Sequence, residues 1–212
     1  MHFQITLIIL HYYILFNILI IKHENTKIQH TGATAENTKE RFCDMIAGFR
    51  DEYKFLSNFY NAPVTYNGVT YKNSEAAFQA AKFTHLTPDD IRAKVSPSII
   101  DGYGFDLTDD HCVEHAFADM SAADAKKLGR KLPIRPDWED VKFDIMRGII
   151  DSKFANNAYL KRKLLATGDE QLVERNWWHD NIWGDCACDR CKSKAGKNML
   201  GVILMETRAR LK

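Results

Sequence analysis

An acid, an amide and an amine stand at helical spacing in SEAAFQAAKF, the stretch at residues 74–83. Glu75, Gln79 and Lys82 fall at i, i+4 and i+7, so a helix would place them along one stripe. On the wall of a pocket, this stripe would supply a general acid or base, a hydrogen-bonding amide and a nucleophilic amine. The alternative is a solvated face, on which Glu75 stabilises the helix dipole and the Lys82 ammonium lies in water.

Sequence motifs on both sides of this stretch give it a context. They are FLSNFY at 55–60, RPDWEDVKFDIMRGIIDSKF at 135–154, LLATGDEQLVERNWWHDNIWGDC at 164–186 and GKNMLGVILMETR at 196–208. In this order they resemble the NADAR, or YbiA-like, family over residues 43–212. The resemblance implies a mostly helical domain that hydrolyses an N-glycosidic bond between ribose and a base and requires no cofactor.

Three residues match the family's functional positions, and the resemblance implies that Glu75, Trp138 and Asp185 serve catalysis. Breaking a ribosyl C–N bond gives the sugar oxocarbenium character, which one carboxylate can stabilise while a second acid moves protons. We therefore expect Glu75 to activate water or protonate the leaving base. We expect Asp185 to contact the ribose and its cationic transition state, and Trp138 to stack on the base. For Trp138, a place in the hydrophobic core is the alternative.

Lys82 is the candidate for covalent catalysis. Its amine lies two helical turns from Glu75 and could attack an opened sugar at C1 to form a Schiff base. The predicted catalytic residues are therefore Glu75, Lys82, Trp138 and Asp185.

A second group of residues has side chains or positions that suit substrate binding. Amides bind base edges and ribose hydroxyls, aromatic rings stack on bases, and the backbone N–H groups at the start of the last predicted helix favour a phosphate. The predicted substrate-binding residues are Asn58, Phe78, Gln79, Trp183, Gly184, Lys197 and Asn198.

Cysteines crowd into the hexapeptide CACDRC at residues 186–191. Thiolates from Cys186, Cys188 and Cys191, with the imidazole of His179, would complete a tetrahedral structural zinc site. The total of five cysteines is odd, which argues against a secreted disulfide framework. Reduced thiols without a metal are the alternative, because the C-x-C step is short for a zinc site.

Hydrophobic periodicity predicts the elements that must position these residues. We expect a mainly α fold, a multihelical YbiA-like array with a small β hairpin near the domain start. Asn67-Gly68 is typical of a type I′ turn, and FRDEYKFLSNF and QLVERN are predicted as strands. Helices are predicted over 74–84, from Pro88, after Ser121, after Asp137, over 157–168 and from Gly196 onward.

The first 21 residues have a different composition. Phe3–Ile21 is an apolar run of 19 residues without Asp, Glu, Lys or Arg, close to the roughly 20 residues that span a bilayer. It is predicted either as a membrane anchor that leaves the domain in the cytosol or as translated sequence upstream of a start near Met45. We expect an apolar segment at 1–21, a linker at 22–42 and the NADAR domain at 43–212.

A formal net charge of +1 gives no broad electrostatic footprint for nucleic acid. The expected partner is a ribosylated nucleotide or base, with ADP-ribosylated guanine first, free or within nucleic acid. A phosphoribosylamino-pyrimidine intermediate of riboflavin biosynthesis is the alternative substrate. A non-catalytic module that binds ADP-ribose or NAD is the alternative from another class, although a pure binding module would not need two carboxylates at the sugar. The expected localisation is cytoplasmic, with or without the anchor.

Overall fold

The computed structural model describes residues 45–212, which lie within a compact unit that spans Cys43–Lys212. Helices dominate this unit, as expected. In chain order they are a 3₁₀ helix at Asp51–Leu56, α1 (Ser74–Ala80), α2 (Pro88–Lys94), α3 (Pro97–Tyr103), α4 (Cys112–Ala118), α5 (Ala122–Gly129), α6 (Trp138–Ala155), α7 (Ala158–Leu165) and α8 (Met199–Leu211). The strands are β1 (Met45–Ala47), β2 (Asn61–Tyr66), β3 (Val69–Asn73), β4 (Gln171–Val173), β5 (Arg175–Asn176) and β6 (Asp185–Cys186).

The strands form three separate pairs among the described residues. β2 and β3 make the predicted antiparallel hairpin, and its turn residues Asn67 and Gly68 have φ values of 48° and 84°, as a type I′ turn requires. β1 pairs in parallel with β4, and β5 pairs in parallel with β6. The β1–β4 pair joins segments that are distant in sequence, the β5–β6 pair closes the loop at 177–184, and together they fix the chain on both sides of residue 174.

Helix α1 lies at the centre of the unit, and all seven of its residues are buried. It packs against α4, α5, α6 and the hairpin. The small side chains of Ala76, Ala77 and Ala80 allow these neighbours to approach closely. Glu75 and Gln79 therefore belong to an internal helix, and Lys82 lies in the turn that follows it, so the alternative of a solvated face is wrong for Glu75 and Gln79.

Helix boundaries differ from the prediction at two places. α1 ends at Ala80 rather than near residue 84, and its N-cap is Asn73, whose side-chain oxygen accepts a hydrogen bond from the Ala76 N–H at 2.9 Å. α8 begins at Met199 rather than Gly196 because Asn198 has a left-handed φ of 49°. Sequence patterns locate helix interiors better than helix ends, which depend on such local conformations.

Two predicted strands also differ from the structure. FRDEYKFLSNF contains the 3₁₀ helix instead of a strand, and QLVERN is divided into β4 and β5 with Glu174 between them. The break at Glu174 separates two different pairing partners, β1 and β6.

The predicted apolar segment at 1–21 and linker at 22–42 lie outside the described residues. Within residues 45–212, none of the helices combines the length and the apolar character needed to cross a bilayer.

Lys153 on α6 is fully buried. Its Nζ donates a hydrogen bond to the Ser57 carbonyl oxygen at 2.8 Å and lies 5.3 Å from the centre of the Phe154 ring. Burial lowers the pKa of this lysine to about 7, because an ammonium loses its hydration in the interior. Lys153 thus anchors the segment that precedes Asn58 at a cost in stability.

We predict that Lys153→Met stabilises the protein at pH 7 and loses this advantage at pH 10. Between these pH values the unfolded lysine stays protonated while the folded one is neutral, so the unfolded state binds more protons and wild-type stability rises with pH. The stability difference between variant and wild type should shrink by roughly 3 kcal/mol over this range. Urea unfolding at both pH values measures it. Lys131→Met, at an exposed lysine, is the control, and a Lys153→Met difference that stays constant with pH would contradict the prediction.

Candidate active site

A cavity of about 910 Å³ opens between α1, α5, the segment at 57–59 and the loop at 174–183. Six of the predicted site residues line it. They are Asn58, Glu75, Phe78, Gln79, Lys82 and Trp183. The acid, amide and amine of SEAAFQAAKF therefore share one pocket wall, which is the arrangement that their spacing predicted.

The polar side chains of Glu75 and Gln79 on α1, and of Lys82 two residues after its end, form a continuous hydrogen-bonded row. Lys82 Nζ donates to Gln79 Oε1 at 2.9 Å, and Gln79 Nε2 donates to Glu75 Oε1 at 2.8 Å. The amide thus connects the amine to the carboxylate and fixes both rotamers. Gly129 on α5 makes this row possible, since a Cβ there would lie 2.2 Å from Gln79 Oε1.

Lys82 is half-buried between charged and aromatic neighbours. Desolvation lowers the pKa of its amine, the Glu75 carboxylate opposes this change, and the Lys126 ammonium lowers the pKa further. Its Nζ lies 5.4 Å from the ring centres of both Phe78 and Trp138. A lysine with a lowered pKa has a larger neutral fraction at physiological pH, and the neutral amine is the nucleophilic form.

Glu174 lines the same cavity and was not among the predicted site residues. The pKa of its carboxyl group is raised to about 7, because desolvation and the nearby Asp180 carboxylate raise it more than the Arg50 guanidinium lowers it. Its Oε2 is buried without a hydrogen-bond partner among the described residues. A carboxyl group that is partly protonated at neutral pH and open to a new partner can act as a general acid.

The rest of the cavity wall can hold both a base and phosphates. Phe59 and Trp178 line it with 48% and 57% of their surface exposed, so a base can stack on either ring. Lys126 and Arg130 lie one helical turn apart on α5 and bring positive charge to the opening. The buried Oδ1 of Asn58 has no hydrogen-bond partner within the described part of the chain, so it can accept a hydrogen bond from a ligand.

Trp138 lies behind the cavity rather than among the described residues that line it. Its ring packs 4.9 Å from the Phe78 ring, and Phe78 in turn lies 5.1 Å from Trp183. Trp138 is buried, so it supports Phe78 and Lys82 from below, in agreement with the alternative of a core position. A direct stack of Trp138 on the base stays a prediction that this geometry does not favour.

Asp185 also lies outside the set of cavity-lining residues in the described chain. Its carboxylate accepts a hydrogen bond from the Gly196 N–H at 2.8 Å and faces Arg175 at 3.4 Å. Its backbone N–H donates to the Glu174 carbonyl oxygen at 2.9 Å. Asp185 therefore lies behind Glu174 and not with Glu75 around one cavity as expected, and a catalytic role for Asp185 stays a prediction.

Three other predicted binding residues surround the same backbone. Asn198 Oδ1 accepts a hydrogen bond from the Glu174 N–H at 2.9 Å, and Asn198 Nδ2 donates to Leu172. Gly184 is buried where a Cβ would lie 2.2 Å from the Glu174 carbonyl oxygen. Lys197 is exposed, and its backbone N–H donates to Asn181. These residues shape the wall that presents Glu174, while contacts between them and substrate stay predictions.

The four predicted zinc ligands lie together beside this wall. The ligand atoms of His179, Cys186, Cys188 and Cys191 are all within 4.8 Å of one another. His179 also lines the cavity.

Comparison with known proteins agrees with the order of the motifs. The family model described as the NADAR domain matches residues 46–212. The chain belongs to the NADAR domain family. The match begins at the edge of the described residues, so the NADAR domain coincides with the part of the chain that carries the cavity.

Two curated relatives and one solved structure extend this comparison. The N-glycosidase YbiA of Escherichia coli is 34% identical over 181 residues, which cover 84% of this chain and 95% of that protein. A riboflavin biosynthesis protein of Vibrio vulnificus is 33% identical over 163 residues, which cover 76% of this chain but 36% of that longer protein. The NMR structure of Escherichia coli YbiA aligns with a TM-score of 0.58 and 32% identity over 80% of this chain and 85% of that chain. The NADAR domain described here thus shares both sequence and fold with YbiA.

Proposed function

We propose that this NADAR protein is an N-glycosidase that hydrolyses the bond between C1′ of a ribose and the nitrogen of a base. The observation that carries this proposal is the row of Lys82, Gln79 and Glu75 in one cavity with Glu174. The site thus contains a nucleophile, a carboxylate that holds it in place and a second carboxyl group that can donate a proton. The name N-glycosidase of the relative that is similar along almost its whole length supports the assignment.

In the first step, the neutral amine of Lys82 attacks C1′ of the ribose. A bond forms between Nζ and C1′, the C1′–N bond breaks, and its electron pair leaves with the base. The protonated carboxyl group of Glu174 supplies the proton that neutralises the leaving base. Glu75 accepts the proton that the attacking amine loses, through Gln79 or an intervening water, and its negative charge stabilises the cationic sugar.

In the second step, water releases the sugar. The nitrogen lone pair of the Lys82 adduct forms an iminium with C1′ while the C1′–O4′ bond breaks, and O4′ takes the proton that Glu75 holds. The Glu174 carboxylate then deprotonates a water molecule that adds to C1′. The new C1′ hydroxyl gives its proton to Nζ as the Nζ–C1′ bond breaks, which returns Lys82 as a neutral amine and leaves an aldehyde that O4′ attacks to close the ribose. The net reaction consumes one water molecule and yields the free base and the free phosphate-bearing ribose.

The cavity wall favours a substrate that carries phosphate. Arg50, Lys126 and Arg130 add positive charge to the wall, and guanidinium groups bind phosphate oxygens in pairs. The size of the cavity and the three cations in its wall support ADP-ribosylated guanine as the first substrate. The similarity to a riboflavin biosynthesis protein supports a phosphoribosylamino-pyrimidine as the second candidate.

A substrate panel tests the proposal. The full chain is incubated with ADP-ribosylated guanosine, ADP-ribosylated DNA and a phosphoribosylamino-pyrimidine, and mass spectrometry detects the released base and sugar. We expect release from at least one of them, and the preferred compound identifies the substrate. Binding of ADP-ribose or NAD without any release would show a non-catalytic module and overturn the assignment.

A further inference from the structure

We propose that His179, Cys186, Cys188 and Cys191 bind one structural zinc ion that fixes the cavity wall at residues 178–183. Three sulfurs and one imidazole nitrogen form a ligand set that zinc prefers in structural sites. The four ligand atoms already lie within 4.8 Å of one another. This proposal concerns metal binding and stands independently of the proposed reaction.

The distances suit a tetrahedral ion. With Zn–S bonds of about 2.3 Å, the sulfurs of a tetrahedral site are about 3.8 Å apart. In the structure, His179 Nδ1 lies 3.0 Å from Cys188 Sγ and 3.5 Å from Cys191 Sγ. Changes of about an ångström, within the reach of side-chain rotation, would bring all four ligands onto one ion.

The backbone around the cluster is already arranged as in thiolate sites. The N–H of His179 donates to Cys186 Sγ at 3.3 Å, and a thiolate accepts such bonds more strongly than a thiol. The N–H groups of Cys191 and Lys192 both donate to the Cys188 carbonyl oxygen at 2.9 Å. These bonds form a turn that brings the Cys191 sulfur back toward those of Cys186 and Cys188. The short C-x-C spacing therefore does not keep the three sulfurs apart.

Charge near the cluster is consistent with a bound zinc. Zinc with three thiolates and a neutral imidazole carries a net charge of −1, and the Arg190 guanidinium contacts His179 Nε2. If Nδ1 binds the metal, Nε2 carries a proton, so the exposed Arg190 side chain must turn away from that nitrogen while remaining near the anionic site.

The cluster is joined directly to the candidate active site. His179 lines the cavity, as do its neighbours Trp178 and Asp180. Asp180 accepts hydrogen bonds from the N–H groups of Ile182 and Trp183, and Cys186 on β6 pairs next to Asn176 on β5. A metal that fixes His179 against β6 would therefore hold both ends of the loop that faces substrate.

Elemental analysis and cobalt substitution test this inference on the full chain. We expect one zinc per chain after purification without chelator, and intense visible absorption from tetrahedral cobalt thiolate coordination after exchange. Cys188→Ser with Cys191→Ser should lose the metal and the cobalt spectrum, whereas Cys112→Ala, at a buried cysteine outside the cluster, should keep both. Metal removal should raise KM more than it lowers kcat, because it loosens a binding wall.

Several results would overturn the inference. One is a folded wild-type chain, verified by circular dichroism, that contains no zinc, reacts with a thiol reagent at the partly exposed Cys188 and Cys191, and gives no cobalt spectrum. Another is one zinc per chain in the double cysteine variant. Recovery of iron instead of zinc, or of a Cys188–Cys191 disulfide under reducing purification, would equally exclude a zinc site.

Discussion

Replacement of Lys82 by arginine is expected to lower kcat/KM by about 10³–10⁴-fold, which corresponds to roughly 4–5 kcal/mol of transition-state stabilisation. Arginine keeps the positive charge over Phe78 and Trp138, so packing and phosphate attraction are largely preserved. It stays protonated at all accessible pH values and cannot act as the nucleophile. A large loss in this variant therefore reports the nucleophilic role and not the charge.

Borohydride trapping provides the direct measurement. If an iminium forms between Lys82 and C1′, borohydride reduces it to a secondary amine, and the protein gains the mass of the sugar at that residue. We expect the adduct on a peptide that contains Lys82 in the wild type and none in Lys82→Arg.

The rate of the wild-type enzyme should also fall at low pH as Lys82 is protonated. Lys126→Met should move this limb to higher pH, because removal of a neighbouring cation raises the pKa of Lys82.

Lys131→Arg is the matched control for this experiment. Lys131 contacts the Tyr103 ring at 5.1 Å on the surface, and it is not among the cavity-lining residues of the described chain. The Lys131→Arg variant should keep the wild-type turnover rate and the wild-type yield of the borohydride-reduced adduct at Lys82. Normal turnover in Lys82→Arg together with the absence of any reduced sugar adduct would exclude the covalent route and leave water activated by Glu75 as the nucleophile.

The sequence predicted this half of the site because its determinants are local. Glu75 and Gln79 are one turn apart on α1, and Lys82 lies in the turn directly after it, so a short separation in sequence is enough to align the three side chains. The turn at Asn67-Gly68 was predictable for the same reason, since its conformation depends on two adjacent residues. The motif order then identified the helix as part of a NADAR domain, and no long-range contact had to be known.

The other half of the site depends on contacts between distant segments. Glu174 is half-buried with its Oε2 enclosed, because β4 pairs with β1, more than 120 residues earlier, and because Asn198 and Asp185 hold its backbone from the far side. In the sequence it is one acid in QLVERN, with no periodicity to distinguish it from a surface glutamate. Asp185 is the opposite case. Its position close to Trp183 in the sequence suggested that it lines the cavity, whereas in the structure its carboxylate accepts a hydrogen bond from the Gly196 N–H. The available signal for Glu174 was its position two residues before Asn176, where the NWW aromatic cluster begins.

Replacement of Glu174 by glutamine is expected to lower kcat by about 10²–10³-fold, the usual contribution of a general acid. Glutamine has nearly the same shape and keeps the hydrogen bonds of the Glu174 backbone with Asn198 and Asp185, but it cannot donate a proton to the leaving base. In the wild type, the rate should decline above pH 7 because the pKa of Glu174 is raised to about 7. This alkaline limb should disappear in the variant, and kcat measured from pH 5 to pH 9 reports both effects. A substrate whose base needs no protonation to leave should restore much of the rate.

Stability gives a second, independent measure of the same carboxyl group. Between its ordinary pKa near 4.5 and its folded pKa of about 7, the folded state binds more protons than the unfolded state, so stability falls as pH rises through this window. Glu174→Gln removes that penalty and should stabilise the protein at pH 8 by roughly 2 kcal/mol, after allowance for partial solvent screening, with little effect at pH 4. Glu52→Gln, at an exposed glutamate that is not among the cavity-lining residues of the described chain, should change neither rate nor stability. A variant that loses activity without gaining stability at pH 8 would show that Glu174 is ionised in the resting site, and the proton for the leaving base would then have to come from Glu75.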